Sequence, residues 1–250
     1  AAAKNKVASI AVRINPEVDA HTHAKITTGM KENKFGINLS QLGGVLDKLK
    51  EMKHVKLIGI HSHIGSQITD MSSFRNLVIR FNEIQEELEA HGVTVENLNF
   101  GGGLGMDDYH PNHLSIPAFD NYFAAIYKLL QVRPGQQPHF EPRRSIVAQC
   151  GTLISKVLYV KEGETKKFAI LDAGFTELIR PAMYDAYHRI ENISSDEAVE
   201  TYDVVGPICE SSDVFGKDVE LNKAHRGDLI ALRSAGAYGE VMGSQYNCRH

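Results

Sequence analysis

Short apolar strands alternate with amphipathic helices over the first 150 residues, and this alternation limits the folds that the chain can adopt. One helix is predicted from Asp70 to about His91, because apolar side chains recur there every three or four residues. Further helices are predicted over 39–52 and from Pro117, and strands over 10–16, 55–65, 96–105 and 137–146. Strands joined by helices favour right-handed crossovers and therefore a parallel sheet.

The remainder of the chain has a different pattern. It contains strand-like runs separated by turns, with little helical periodicity: TLISKVLYVKEG, KKFAILDAG, ETYDVVGPICE and GDLIALRSAGAYG. We therefore predict two domains, an α/β domain over 1–148 and a β-rich domain over 149–250.

Charge and cysteine content narrow the possible functions. The 250 residues carry 27 Lys and Arg against 31 Asp and Glu, a net charge of −4, and the basic residues are scattered, so no nucleic-acid partner is expected. No apolar stretch approaches the ~18 residues of a membrane span. Three widely spaced cysteines, Cys150, Cys209 and Cys248, are typical of reduced thiols. The sequence predicts a cytoplasmic protein that acts on a small molecule.

Each predicted parallel strand ends in polar or glycine-rich sequence, namely RINP, HSHIGSQ, FGGGLG and FEPRRS. Ligands bind at this rim in barrels and doubly wound sheets, so we expect one pocket there. A closed barrel needs about eight such units, and half a barrel would leave two long strand edges unpaired. With four units, either the sheet is open or the first half of a barrel lies outside this sequence.

The glycines of FGGGLG, Gly101, Gly102 and Gly103, can be interpreted in two ways. Backbone without Cβ atoms can approach a phosphate closely and direct N–H groups at its oxygens. A tight turn would need the same residues. The spacing matches neither a Walker loop nor a Rossmann loop, so the motif favours phosphate only moderately.

His61 and His63, in HSHIGS, could bind a metal ion or contact an aromatic cofactor. Two histidines at this spacing occur on the first strand of amidohydrolase-like zinc sites. The spacing recurs in AHTHAK, where His21 and His23 follow a loop-like segment and are expected to be solvated. The later strand ends FGGGLG and FEPRRS supply no further histidine, so we predict no metal.

Glu141 follows the fourth predicted strand, beside Arg143 and Arg144. A surface salt bridge is the common explanation for such residues. A buried carboxylate at this rim would instead hold a proton on a heteroaromatic nitrogen, and an arginine would pair with a carboxylate or phosphate in a forked contact. Cys209 lies beside the carboxylate Glu210, but a lone cysteine is more often an inert small apolar residue.

Taken together and in order, eight motifs resemble the fold-type III pyridoxal-phosphate (PLP) decarboxylases, which include enzymes for diaminopimelate, ornithine and arginine. The motifs are RINP, KFG, GIHSHIGSQ, NFGGGLG, EPRRSIVA, DAGFTELIRPAMYDAYH, VVGPICESSDVFGKD and GAYGEVMGSQYN. The resemblance implies the C-terminal half of a PLP-binding (α/β)8 TIM-like barrel, followed by a β-sandwich/Greek-key domain. It also implies a head-to-tail homodimer with its active site at the interface.

The resemblance assigns the cofactor-binding roles. His63 would stack on the pyridine ring, while Ser66 and Gly101 to Gly103 would hold the phosphate, with Tyr238 nearby and Arg144 also in the cofactor site. His61 would point to the other side of its strand. Glu141 would bond the pyridine nitrogen and keep it protonated, which makes the ring an electron sink and favours decarboxylation.

Substrate roles follow from the same resemblance. Arg144, Arg180 and Tyr184 would bind the carboxylate at the non-reacting end of diaminopimelate, and Glu210 its amine. Cys209 would donate a proton to the carbanion, and Cys209 and Glu210 would both come from the partner subunit. Ornithine ends in a bare amine and would not need Arg180, so the resemblance implies conversion of meso-2,6-diaminopimelate to L-lysine and CO2.

Three departures from the family pattern keep alternatives open. Arg143 replaces a glycine of the family's EPGR motif. The family's CESGD motif is CESSD here, with Ser211 followed by Ser212. The family's cofactor-binding lysine lies in a YAxKAN-like motif on the first barrel strand, and no such motif occurs here. The alternatives are an ornithine- or arginine-type decarboxylase, a non-catalytic family member, and a metal-dependent hydrolase.

Overall fold

A computed structural model describes residues 1–18, 34–111 and 119–249. The chain divides into two compact units. The first comprises Ala1–Met106 and Ile116–Arg143, and the second comprises Asp107–Ser115 and Arg144–His250. His21 and His23 lie outside the described residues, so their predicted solvation stays a prediction.

The first unit is built on a five-stranded sheet, and every strand pairing in it is parallel, as the alternating pattern predicted. The strands are β1 (Ala8–Asn15), β2 (Ile37–Asn38), β3 (Val55–His61), β4 (Asn97–Asn99) and β5 (Gln137–His139), in the order β2-β1-β3-β4-β5. The helices between them are α1 (Leu42–Glu51), α2 (Met71–Ala90) and α3 (Phe119–Tyr127).

Helix α2 shows how the local sequence fixes this layer. Asp70 caps its first turn by accepting a hydrogen bond from the backbone N–H of Ser72 at 2.8 Å. The apolar side chains that predicted the helix are fully buried: Phe74, Leu77, Val78, Phe81, Ile84 and Leu88. Burying one such face stabilises a helix far more than its intrinsic propensity does.

Aromatic packing holds the end of β4 in place. Phe100, which follows β4, is completely buried and stacks on Phe81 of α2 with ring centroids 4.2 Å apart. Tyr122 of α3 packs edge-on against Phe74 at 4.8 Å. The glycine run that follows Phe100 therefore starts from a rigidly anchored position.

The strands end earlier than the sequence indicated. β3 stops at His61 and β4 at Asn99, so HSHIGS from Ser62 onward and the glycine run form loops. The predicted strand over 137–146 is wrong beyond His139, because Arg143–Val147 form a short helix, α4. Proline disfavours the helical conformation in the residue before it and is suited to the start of a helix, so Pro142 accounts for the change from strand to helix here.

The second unit contains a six-stranded sheet in the order β10-β9-β7-β6-β11-β8, in which β7 and β9 are parallel and the other pairs antiparallel. Its strands are β6 (Leu153–Glu162), β7 (Lys167–Leu171), β8 (Ile190–Asn192), β9 (Val199–Val205), β10 (Val214–Asn222) and β11 (Leu229–Leu232). Strands β8 and β10 and the short helix α5 (Arg180–Tyr184) were not predicted.

In the part of the chain that the structure describes, no helix combines the length and the apolar character needed to cross a bilayer.

Candidate active site

The carboxylate of Glu141 lies just beyond β5 and is contacted from three sides. Asn99 Nδ2 donates to its Oε1 at 3.1 Å, and Arg143 Nη2 donates to its Oε2 at 2.5 Å. His61 Nε2 lies 3.8 Å from Oε1. The side chain is 28% exposed, so Glu141 is neither on the open surface nor sealed from ligands.

His63 is held against the glycine loop as a neutral imidazole. Its Nδ1 accepts a hydrogen bond from the backbone N–H of Gly102 at 3.1 Å, so its proton is on Nε2. Burial, followed by the charge of Arg13, lowers the pKa of His63 to about 4. A neutral ring can lie against an aromatic ligand without the cost of burying a charge.

The glycine loop admits no side chain where it meets β3 and β5. A Cβ at Gly101 would lie 2.3 Å from the carbonyl oxygen of Ser62, and one at Gly102 would lie 2.2 Å from that of Glu141. Gly101 and Gly103 also have positive φ values, 67° and 111°. The N–H of Gly101 donates to Asn99 Oδ1, and that of Gly102 to His63, so both are engaged within the chain.

The position of His61 differs from the one expected from the sequence. The expectation that His61 points to the other side of its strand is wrong, because its Nε2 lies 3.8 Å from Glu141 Oε1. Residues two apart on a strand share a face, so alternation along β3, which ends at His61, gave no reason to separate His61 from His63. The pKa of His61 is lowered, mainly by burial. Among residues 1–18, 34–111 and 119–249, no group of three or more His, Cys, Asp or Glu side chains is arranged to hold a metal ion.

Sequence reasoning missed two members of this cluster. Asn99 joins Glu141 to the glycine loop, and its position as the last residue of β4 was a signal that could have identified it. Arg13 of β1 donates to the carbonyl oxygen of His63 at 3.5 Å and lies over the ring of Phe35 at 4.8 Å. Its pKa is lowered by burial, a shift opposed by Glu141.

A second cluster, in the second unit, brings together four predicted residues: Arg144, Arg180, Tyr184 and Tyr238. Arg144 and Arg180 are only 9% and 5% exposed. Arg144 lies over the Tyr238 ring, with Cζ 4.9 Å from its centroid. Buried cations repel one another, so burial and then Arg144 lower the pKa of Arg180 to about 10.

Asp108 is the acidic member of the second cluster, and it was not predicted. Burial raises the pKa of Asp108, while Arg180 and Arg144 oppose that shift. Two guanidinium groups against one carboxylate leave an excess positive charge in a buried place. Such a site favours a further anion.

Cys209 and Glu210 lie in the loop between β9 and β10, and both are exposed. The hydroxyl of Tyr246 donates to Glu210 Oε1, so Tyr246 is a third, unpredicted member of this group. The prediction that Cys209 and Glu210 act from a partner subunit stays a prediction.

The first cluster fits the binding of a phosphorylated pyridine. A carboxylate at a strand end can accept a hydrogen bond from a pyridinium N–H, and a neutral imidazole can stack on the ring. The loop that only glycine can occupy brings backbone close to where a phosphate would bind. The N–H groups of Gly101 and Gly102 now donate to Asn99 and His63. These hydrogen bonds would have to break before the two glycines could bind the phosphate.

The parallel sheet with these side chains at its strand ends, together with the following sheet domain, defines a pyridoxal-dependent class of protein. The family model described as "Pyridoxal-dependent decarboxylase, C-terminal sheet domain" matches residues 45–236. The chain belongs to this family, whose fold combines an (α/β)8 barrel, represented here by part of it, with a β-sheet domain.

Individual relatives agree with this membership. The chain is 64% identical over 249 residues to a diaminopimelate decarboxylase of Bacteroides thetaiotaomicron, covering all of this chain and 64% of the relative. It is 42% identical to that of Zymomonas mobilis, covering 98% and 58%. The crystal structure of Helicobacter pylori diaminopimelate decarboxylase complexed with L-lysine superposes with a TM-score of 0.90 at 39% identity, covering 98% of this chain and 61% of that one. The chain thus spans less than two thirds of these relatives.

Proposed function

We propose that the full-length protein containing this chain decarboxylates meso-2,6-diaminopimelate to L-lysine and CO2 with pyridoxal phosphate. Its relatives bear the name of that activity, and one was solved with L-lysine bound. The family's cofactor-binding lysine would lie in the part of the protein that these 250 residues do not include.

The first cluster would hold the cofactor. Glu141 would accept a hydrogen bond from the pyridine nitrogen and keep it protonated, and His63 would stack on the ring. Ser66 and Gly103 would bind the phosphate, joined by Gly101 and Gly102 once their N–H groups are released from Asn99 and His63. When bound, the protonated ring supplies an electron sink for the carbanion left by CO2. The hydrogen bond from Asn99 Nδ2 to Oε1 would hold the carboxylate of Glu141 in place.

The second cluster would bind the substrate end that does not react. Arg144 and Arg180 pair with its carboxylate, and the Tyr184 hydroxyl donates to it, while Tyr238 keeps Arg144 in place. The family resemblance also puts Tyr238 near the phosphate and Arg144 in the cofactor site, and a guanidinium is suited to bind a phosphate oxygen. Glu210 would bind the distal amine, and Cys209 Sγ would supply the proton that takes the place of the departing CO2.

The two positive charges of Arg144 and Arg180, against the one negative charge of Asp108, would determine which substrate is preferred. Diaminopimelate has a carboxylate at each end, whereas ornithine has only a bare amine at the end of its side chain. A buried guanidinium pair would repel that amine and attract the carboxylate.

Comparing substrates with the full-length holoenzyme tests this proposal. We expect CO2 release from diaminopimelate and little from ornithine or arginine. Arg180→Leu should raise KM for diaminopimelate with little gain for ornithine. A preference for ornithine or arginine would overturn the substrate assignment, and a protein that binds pyridoxal phosphate without releasing CO2 would be a non-catalytic family member.

The same proposal includes a homodimer in the cytoplasm. The exposed position of Cys209 and Glu210 is consistent with their use by a neighbouring subunit. The free thiols of Cys150, Cys209 and Cys248 are consistent with a reducing compartment. Sedimentation of the full-length holoenzyme, with activity measured in mixtures of Cys209→Ala and Glu141→Gln subunits, tests the shared site, because only mixed dimers would recover activity.

A further inference from the structure

His188 is a buried histidine to which the proposed chemistry assigns no role. It lies between α5 and β8, is 1% exposed, and contacts two groups with its two ring nitrogens. Nδ1 lies 2.8 Å from the carbonyl oxygen of Arg233, and Nε2 lies 3.1 Å from Nη1 of Arg180.

These two partners permit a single form of the ring. A carbonyl oxygen can only accept, so Nδ1 of His188 carries the proton. A guanidinium can only donate, so Nε2 presents its lone pair to Arg180. An added proton would set an N–H against an N–H, beside the charges of Arg180 and Arg144. Burial and these charges lower the pKa of His188 to about 4, although the bond to Arg233 opposes the shift.

Because the group that accepts the hydrogen bond from Arg180 is neutral, the guanidinium keeps its full positive charge. A carboxylate at the same position would orient the guanidinium equally well, but it would cancel the charge that an incoming anion needs. An imidazole fixes the guanidinium through Nη1 and leaves its positive charge in place. Nε of Arg180 is buried and has no hydrogen-bond partner in the described structure, so the protein itself leaves this donor of the guanidinium unused.

We propose that His188 is a positioning residue for the anion site, in which a neutral imidazole anchored on the Arg233 carbonyl orients Arg180 toward the distal carboxylate of the substrate without neutralising it. This inference rests on the proposed function. The groups that face Arg180 besides His188 are Arg144, Asp108, Tyr184 and Tyr238. His188 sets the orientation of the Arg180 guanidinium, whereas Asp108 reduces the net positive charge of the cluster.

Two ligands of the full-length holoenzyme separate this role from a purely structural one. L-lysine carries the carboxylate that Arg180 would bind, and cadaverine is the same molecule without it. In His188→Leu we expect the inhibition constant of L-lysine and the KM for diaminopimelate to rise roughly 10- to 100-fold, the loss expected for a hydrogen bond to a buried charged group. The inhibition constant of cadaverine, kcat and the affinity for pyridoxal phosphate should not change.

Two further variants test the charge argument. His188→Gln offers an amide N–H to Arg233 and an amide oxygen to Arg180, and should restore L-lysine binding. His188→Asp keeps an acceptor but adds a negative charge, and should bind L-lysine as poorly as the leucine variant. His225→Gln, which alters an exposed histidine of the same unit that pairs with Glu197, is the matched control and should behave as the parent.

The outcomes are distinct. L-lysine binding that is unchanged in His188→Leu, or retained in His188→Asp, overturns the inference. If the leucine variant does not fold, the comparison of His188→Gln with His188→Asp gives the answer alone. A parent holoenzyme that does not decarboxylate diaminopimelate refutes the proposed function, whereas an active parent with indifferent His188 variants refutes only this inference.

Discussion

Arg143 Nη2 donates to Oε2 of Glu141 at 2.5 Å, and this places an arginine on the carboxylate assigned to the pyridine nitrogen. The Arg143 side chain is 71% exposed, whereas that of Glu141 is 28% exposed. The other oxygen of Glu141 already accepts from Asn99. Each carboxylate oxygen can accept two hydrogen bonds, so a pyridinium N–H would share Oε1 with Asn99 or Oε2 with Arg143, or displace one of them.

Removing this arginine should strengthen cofactor binding. Exposed ion pairs contribute about 0–1 kcal/mol, so Arg143→Gly should increase the affinity of the full-length protein for pyridoxal phosphate by up to about fivefold. Equilibrium titration followed by the absorbance of bound cofactor measures this. Arg80→Gln removes an exposed arginine paired with Glu83 on α2 and should leave the affinity unchanged. A weaker affinity in Arg143→Gly would mean that Arg143 assists cofactor binding.

Removing the charge of Glu141 should affect the chemical step more than binding. Glu141→Gln keeps the shape of the side chain but no longer favours a protonated ring nitrogen, so kcat should fall about 100-fold or more, the usual cost of losing one preorganised electrostatic contact. Steady-state kinetics measure kcat, and cofactor titration checks that the variant is loaded. An unchanged kcat in the loaded variant would refute the role of Glu141.

The glycine loop should not tolerate alanine at Gly102. Its Cβ would meet the Glu141 carbonyl oxygen at 2.2 Å, so the loop or the end of β5 must move. We expect Gly102→Ala to lower the free energy of unfolding by about 1–3 kcal/mol and to weaken cofactor binding. Gly44→Ala is the matched control, because a Cβ there meets nothing within 4 Å and Gly44 lies inside α1.

That control should shift stability in the opposite direction, by about 0.5–1 kcal/mol, because alanine is the better helix former. Urea unfolding of both variants measures the two effects. Equal stabilities of Gly102→Ala and its parent would mean that the close contact is absent in solution.

Acid should destabilise the protein partly through its buried neutral histidines. The folded-state pKa of His188 is about 4, below its ordinary value of 6.5, so the unfolded chain binds more protons between these two values. The stability contributed by neutral His188 is present above pH 6.5 and is lost as the pH falls toward 4. Burial also lowers the pKa of His63 to about 4, so neutral His63 contributes to the same loss of stability in acid.

The full shift of His188 corresponds to about 3 kcal/mol. Glutamine does not titrate, so His188→Gln should flatten the dependence of the free energy of unfolding on pH between 6.5 and 4. Denaturant unfolding at several pH values measures the slope. His225→Gln should keep the parental slope, and an equally steep slope in His188→Gln would contradict a depressed pKa.

Local patterns in the sequence were sufficient for the elements with strong periodicity. The apolar spacing of 70–91 predicted α2, and the alternation of strands with helices predicted a parallel sheet. The change from β5 to α4 was not predicted. The apolar residues on either side of Glu141 resemble a strand pattern, whereas Pro142 ends the strand conformation and is followed by a helix. β8 was not predicted because it has only three residues. β10 was not predicted because shifts in its register with β9 interrupt the alternating pattern.

The sequence by itself determined the α/β and β character of the two regions, the glycine loop and the candidate side chains His63, Glu141, Arg144, Arg180 and Tyr238. Tertiary structure alone decided which of them share an environment. Asp108 beside Arg144 and Arg180, and His188 between Arg180 and Arg233, depend on burial and on contacts between residues distant in the chain. Arg143 and Glu141 are only two residues apart, and their contact depends on the turn that leads from β5 into α4. Charge, proton position and hydrogen-bond direction are set by these three-dimensional neighbours, and periodicity along the chain carries no information about them.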